Sequence, residues 1–204
     1  MIGHPTAILV AGTGRHLDHL ARLSAQSELP LDIRLCISHR PGVRALELAR
    51  QHGIASLVVD PERKLGPEAL SSEVFQALDE QGIETALLAG FLRFLPIPAA
   101  WQGRVLNVHP SLLPAFGGQG FYGDRVHQAV LDRGCKVSGC TVHYVDNVFD
   151  HGPILVQRVC PVWPDDTAHD LADRVFEQER IAYPDGIRLH LGMAGAQGLG
   201  GQLS

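Results

Sequence analysis

The chain has 204 residues, and at about 150 residues per domain that is one domain or at most two small ones. Apolar residues make up 45% and charged residues 19%, a balance that supports a buried core and excludes disorder and collagen-like repeats. Lys+Arg 17 against Asp+Glu 22 leaves a net charge of −5, so no global basic field is available to grip nucleic acid. No apolar run is long enough to span a bilayer, and the N-terminus lacks the pattern of a signal peptide. The cysteines Cys36, Cys135, Cys140 and Cys160 are scattered, with no C-x-x-C pair, and a reducing cytoplasm is the expected setting.

Ala7–Val10 reads as a buried strand that feeds the turn Ala11-Gly12-Thr13-Gly14. Leu17, Leu20, Ala21 and Leu23 follow at helical spacing. Leu31–Ile37 is a second strand, and Val43–His52 a helix with Leu46, Leu48 and Ala49 toward the core. Ala55–Val59 is a third strand, and Ser71–Gln81 a helix with Val74, Phe75 and Leu78 inward and Gly82 at its C-cap. Thr85–Ala89 and Val105–Val108 complete five strands that alternate with helices, the pattern of a parallel, doubly wound α/β sheet.

Pro110–Asp124, rich in Gly and Pro, reads as a loop, and Arg125–Arg133 as a helix. Ser138–Val145 alternates Thr141/His143 against Val142/Tyr144, a strand whose antiparallel neighbour is Ile154–Val159. Asp165-Asp166-Thr167 caps a last long helix running through Leu171, Val175 and Ile181 to about His190, which Pro184 kinks or splits. Residues 191–204 form a Gly-rich flexible tail.

Three stretches carry candidate chemistry. Gly12-Thr13-Gly14 places backbone N–H groups at a helix start, either as a phosphate nest or as a plain tight turn. It lacks the third glycine of G-x-G-x-x-G, where Leu17 stands. In Leu106-Asn107-Val108-His109-Pro110-Ser111-Leu112-Leu113-Pro114, Asn107 and His109 point to one side at the carboxyl edge of the sheet. An amide beside an imidazole can bind a developing oxyanion and move a proton; the alternative is a His satisfied by backbone. Asp150-His151-Gly152-Pro153 supplies an acid that either orients His109 or makes its own Asx bond. Cys135, Cys140 and His143 match no common zinc spacing, and no metal is expected.

The string Asn107-x-His109-Pro-Ser-Leu-Leu-Pro114, followed by Asp150-x-Gly-Pro153 and Gln157, resembles the folate-dependent formyltransferase family, over the chain to about Arg188. The chain length, the Gly12 turn and Gln178-Glu179-Arg180-Ile-Ala-Tyr183-Pro184 are most similar to the branch acting on glycinamide ribonucleotide. The resemblance implies a single formyltransferase domain over 1–190, with a phosphate-binding half (1–104) and a folate-binding, catalytic half (105–190). It implies transfer of formyl from 10-formyltetrahydrofolate to an amine, with Asn107, His109 and Asp150 as the catalytic trio. Gly12, Thr13, Gly14, Arg15, His16 and Glu179 would bind the ribonucleotide. Leu92, Arg93, Phe94 and Leu95, with Asn107 and the stretch Asp146, Asn147, Val148, Phe149 and Asp150, would line the folate slot. It further implies a cytoplasmic monomer or homodimer acting on small molecules, without nucleic acid or membrane. Arg15-His16 departs from the family's Ser/Thr-Asn, His151 from its frequent Gly, and the loop Ala115–Asp124 is longer than usual. A family arginine that touches the folate tail is not assigned to any one residue in Pro61–Leu70. Three alternatives remain: another N-formyltransferase (amino-sugar or methionyl-tRNA), a formyltetrahydrofolate hydrolase, or an inactive nucleotide-binding module.

Overall fold

The structure, a computed structural model, describes residues 3–60 and 62–193. Strands and helices alternate as β1 His4–Val10, α1 Arg15–Ala25, β2 Leu31–Ser38, α2 Arg44–Gln51, β3 Ala55–Val58, α3 Pro67–Glu80, β4 Thr85–Ala89 and β5 Val105–His109. They continue as α4 Asp124–Asp132, β6 Val137–Tyr144, β7 Ile154–Pro161 and α5 Ala168–His190. The sheet order is β3-β2-β1-β4-β5-β6-β7. β1 to β5 pair in parallel, and β6 with β7 antiparallel. This is the doubly wound, mostly parallel α/β sheet expected, with antiparallel C-terminal strands and a long final helix. The tail expected over 191–204 lies outside the described residues from 194 onward. The chain divides into two compact units, Met1–Asn107 and Val108–Ser204.

In the first unit, Ala7, Ile8, Leu9 and Val10 are fully buried, as befits a central strand flanked on both edges and both faces. The turn after β1 is set by close packing. Gly14 has φ +75°, and a Cβ there would lie 2.7 Å from the Ala45 Cα. The Gly12 carbonyl accepts the Ala45 N–H at 3.1 Å, so the turn also anchors the start of α2. Small residues carry that contact: Ala45 and Ala49 are the buried positions of α2, whereas the expected Leu46 and Leu48 are only half-buried.

α3 begins at Pro67, four residues before the expected Ser71, because Pro at the first helical position needs no N–H partner. Val74, Phe75 and Leu78 are buried as expected, and Gly82 follows the C-cap Gln81 at φ +59°. A 3-10 turn, Ala99–Trp101, escaped the sequence reading. It seats Trp101 beside Phe75, with ring centroids 5.2 Å apart.

In the second unit both faces of β6 are covered, so the Thr141/His143 against Val142/Tyr144 alternation separates two buried environments rather than inside from outside. α5 covers the Val142 and Tyr144 side. A Cβ on Gly186 would meet the Val142 Cγ1 at 2.5 Å, and the Tyr144 hydroxyl pairs with His190 Nδ1 at 3.2 Å. The segment after β5 covers the other side, where Leu112 Cδ2 lies 2.9 Å from a Cβ built on Gly139.

Thr167 is the N-cap of α5 and forms a capping box with Asp170. The helix passes unbroken through Pro184, so the expected split does not occur. Burial of Leu171, Val175, Ala182, Tyr183 and Ile187 on one side outweighs a single lost backbone hydrogen bond. Ile181 faces solvent, 46% exposed, and is not a core position.

His39, His127 and His143 are all buried, and burial holds each imidazole below its ordinary range, His39 down to about 4. The unfolded chain takes up protons on these rings near pH 6.5, which the folded chain resists. Stability is therefore expected to fall as pH drops from about 6.5 toward about 4. Urea unfolding at pH 7.5, 6 and 5 should show a midpoint that declines steadily. A constant midpoint would mean these rings are protonated in the fold.

Candidate active site

β5 ends on the pair that the sequence singles out. Asn107 and His109 alternate along the strand and lie on one side of it. His109 is 4% exposed and Asn107 is half-buried.

Beyond β5 the chain folds back on His109. Its Nε2 lies 2.9 Å from the Phe116 carbonyl oxygen, and its Nδ1 3.4 Å from Asp150 Oδ1. Both partners are acceptors, a set that a ring carrying both N–H groups satisfies. His109 is thus met by backbone at Nε2 and by an acid at Nδ1.

The other Asp150 oxygen, Oδ2, accepts the Gly118 N–H at 2.9 Å. Gly117 permits this approach, since a Cβ there would sit 3.3 Å from the Asp150 Cβ and 2.4 Å from Leu113 Cδ2. Asp150 itself has φ +50°, a backbone conformation uncommon for a non-glycine residue. The turn bond considered for Asp150 belongs instead to Asp146, whose Oδ1 accepts the Val148 N–H at 2.9 Å. Against the upward push of burial, the His151 ring and the Val148 N–H hold the Asp146 carboxyl below the usual carboxylate range.

The rest of the motif is scaffolding. The Ser111 hydroxyl donates to the Ala115 carbonyl at 2.6 Å. The Thr141 hydroxyl donates to the Ser111 carbonyl at 2.7 Å and accepts the Leu113 N–H at 3.0 Å. The Gln157 amide donates to the Leu113 carbonyl at 2.9 Å. Gly152 is dictated by crowding, because a Cβ there would stand 2.0 Å from the Tyr144 carbonyl oxygen.

Glu179 is buried on α5 at 7% exposure and pulls upward on the His127 imidazole of α4, which burial holds down. Val148 and Phe149 are 56% and 40% exposed, so this stretch presents apolar side chains at the surface. Cys140 and His143 project from opposite sides of β6. No group of metal-ligating residues gathers among the described residues.

The first unit holds the remaining candidates. Arg15 and His16 open α1 directly after Gly14, and their N–H groups belong to the first turn, which has no intrahelical acceptors. Leu92 is 44% exposed, Phe94 half-buried and Leu95 buried. The Arg93 guanidinium is committed to the Asp60 carboxylate and the Leu65 carbonyl. Asp60 also accepts the Lys64 and Leu65 N–H groups at 2.7 and 3.1 Å, so this pair fixes the following loop. Sequence reasoning missed Asp60, Phe116 and Gly118, and weighed His143 only as a metal ligand, although it is a polar residue in step with Thr141 on β6.

The chain matches the family described as Formyl transferase over residues 5–187. It is 37% identical over 180 residues to the chloroplastic phosphoribosylglycinamide formyltransferase of Vigna unguiculata, covering 87% of this chain and 57% of that protein. The chain spans between 13% and 62% of the length of eight curated relatives that it matches. Among solved structures, glycinamide ribonucleotide transformylase 1 from Symbiobacterium toebii superposes with a TM-score of 0.86 at 34% identity, covering 93% of this chain and 89% of that one. Phosphoribosylglycinamide formyltransferase from Bacillus halodurans gives 0.83 at 32% identity, with 97% and 99% coverage.

Thr141→Val keeps the shape but strands the Leu113 N–H, the Ser111 carbonyl and one N–H of the Gln157 amide. The expected cost is about 1–3 kcal/mol in urea unfolding, with Thr141→Ser close to wild type. Equal stability of the valine variant would show that the clamp carries nothing.

Proposed function

Because the chain belongs to the formyl transferase family, we propose that it transfers the formyl group of 10-formyltetrahydrofolate to the amino group of glycinamide ribonucleotide. The observation that carries this reading is the His109 ring held between the Phe116 carbonyl and the Asp150 carboxylate, directly after Asn107 on β5. The names of the relatives point to the same acceptor.

The substrate amine attacks the formyl carbon, and the carbonyl electron pair moves to oxygen. The Asn107 amide stabilises the oxyanion directly, and the His109 ring, whose nitrogens face the Phe116 carbonyl and Asp150, stabilises it through its charge, which is worth most where water is excluded. Collapse of the tetrahedral intermediate breaks the bond from carbon to N10 of the folate. N10 gains a proton while the former amine loses one, with Asp150 and His109 positioned to handle the exchange. Gly12–His16 bind the ribose phosphate by backbone N–H groups at the start of α1. Glu179 meets the amine end of the ribonucleotide. Leu92–Leu95 and Asp146–Asp150 bind the pterin, the former through backbone groups, since the Arg93 side chain is engaged elsewhere. The reading uses no metal and places the enzyme in the cytoplasm as a monomer or homodimer.

The test is consumption of formyl-folate with glycinamide ribonucleotide, methionyl-tRNA, an amino-sugar nucleotide or no acceptor. Turnover with glycinamide ribonucleotide and formylated product supports the proposal. Turnover with another amine, release of formate without acceptor, or no turnover at all would each replace it.

The phosphate assignment has its own probe. Gly14 is unsuitable, because any side chain there collides with Ala45. Gly12 has open space around its Cβ direction and no positive φ. Gly12→Ala is expected to fold normally and raise KM for the ribonucleotide about tenfold, the loss of ~1.4 kcal/mol of binding, with the folate KM unchanged. Equal changes in both KM values would make the turn purely structural.

A further inference from the structure

We propose that His143 is a positioning residue for the Asp150–His109 pair: its neutral ring leaves Asp150 Oδ1 to His109, and its protonated ring draws that oxygen away. The inference rests on the roles given above to Asp150 and His109. It begins from one oxygen with two imidazoles beside it. Asp150 Oδ1 lies 3.4 Å from His109 Nδ1 and 3.9 Å from His143 Nε2.

The state of the His143 ring is fixed by its other nitrogen. Nδ1 lies 2.8 Å from the Tyr144 carbonyl oxygen, which can only accept, so Nδ1 carries the proton in the neutral ring. Nε2 then turns a lone pair toward Asp150 and makes no claim on the carboxylate. A second proton has only Nε2 to occupy, and there it creates a charged donor facing Oδ1.

The groups facing the ring come from three elements: Asp150 from the turn before β7, His109 from β5, and Asp146 from the loop after β6. Those on α5 lie across the strand, on the Val142 side. Burial holds the His143 imidazole below its ordinary range, opposed by the Tyr144 carbonyl and by the two carboxylates. The ring is thus neutral at pH 7 and charges on acidification. His143 is 1% exposed, so the change happens away from solvent, where a charged donor competes strongly for a nearby carboxylate.

Two amides separate this role from a structural one. Asparagine places its amide nitrogen where Nδ1 stands, keeps the bond to Tyr144 and leaves nothing at Nε2. Glutamine places an amide nitrogen near Nε2 and imitates the protonated ring at every pH.

The experiment is kcat from about pH 5 to 9 with both substrates saturating, spanning the His titration range, for wild type, His143→Asn, His143→Gln and Asp150→Asn. The wild type should lose kcat on the acid side. At pH 5.5, His143→Asn should retain at least threefold more of its own neutral-pH kcat than wild type does. His143→Gln should be about tenfold slower throughout, with both KM values little changed. Histidine-selective NMR of the unmutated protein should show His143 titrating at the midpoint of the acid limb, a measurement that needs no variant to fold.

An acid limb identical in wild type and His143→Asn, with Asp150→Asn still slow, would leave His143 structural and overturn the proposal alone. A His143 midpoint away from the acid limb would do the same. An Asp150→Asn enzyme as fast as wild type would overturn the underlying reading, and this one with it.

Discussion

A carboxylate withdrawn from water needs donors around it, and the second unit is arranged to supply them to Asp150. The Asp150 side chain is 12% exposed. The Gly118 N–H serves one oxygen, and the His109 ring faces the other. Gly117 and Gly118 reach the carboxylate only because the chain between them and His109 is clamped by Ser111, Thr141 and Gln157. The motif after β5 therefore has two jobs. Asn107 and His109 present polar groups at the strand end, and the remaining residues bring a backbone donor and a backbone acceptor to the pair.

Much of this was legible in the sequence. β1 with its glycine turn, the segment after β5 and the Thr167 cap depend on neighbours within a few residues, and a periodicity or a turn residue announces each. The alternation on β6 was legible too, but not its meaning, since it takes α5 on one side and Leu112 on the other to bury both. Pro184 misled for the same reason. Its local preference is to break a helix, and the packing of Tyr183 and Ile187 overrides it. Ile181 continued an apolar pattern onto an exposed side because the packing stripe of α5 is set by β6 and β7, not by composition.

Of the site, the sequence could offer the side chains but not the backbone groups that complete it. Phe116 contributes a carbonyl and Gly118 an N–H, and neither leaves a mark in residue identity. Gly14 shows the converse. Its motif suggested close approach of a ligand, while the structure shows close approach of α2, so the residue is required whether or not phosphate binds there. Arg93 stood beside an expected ligand slot, yet its charge is taken up by Asp60. An arginine's use depends on which acid the fold brings to it.

The central claim is that His109 and Asp150 act as one unit, and a double-mutant cycle on kcat tests it most directly. His109→Ala should slow the enzyme at least about a hundredfold, as for loss of a general acid–base group. Adding Asp150→Asn to that variant should cost little more, because the carboxylate works through the ring it faces. If the two losses multiply in full, the groups act independently, and the coupling read from their 3.4 Å approach is wrong.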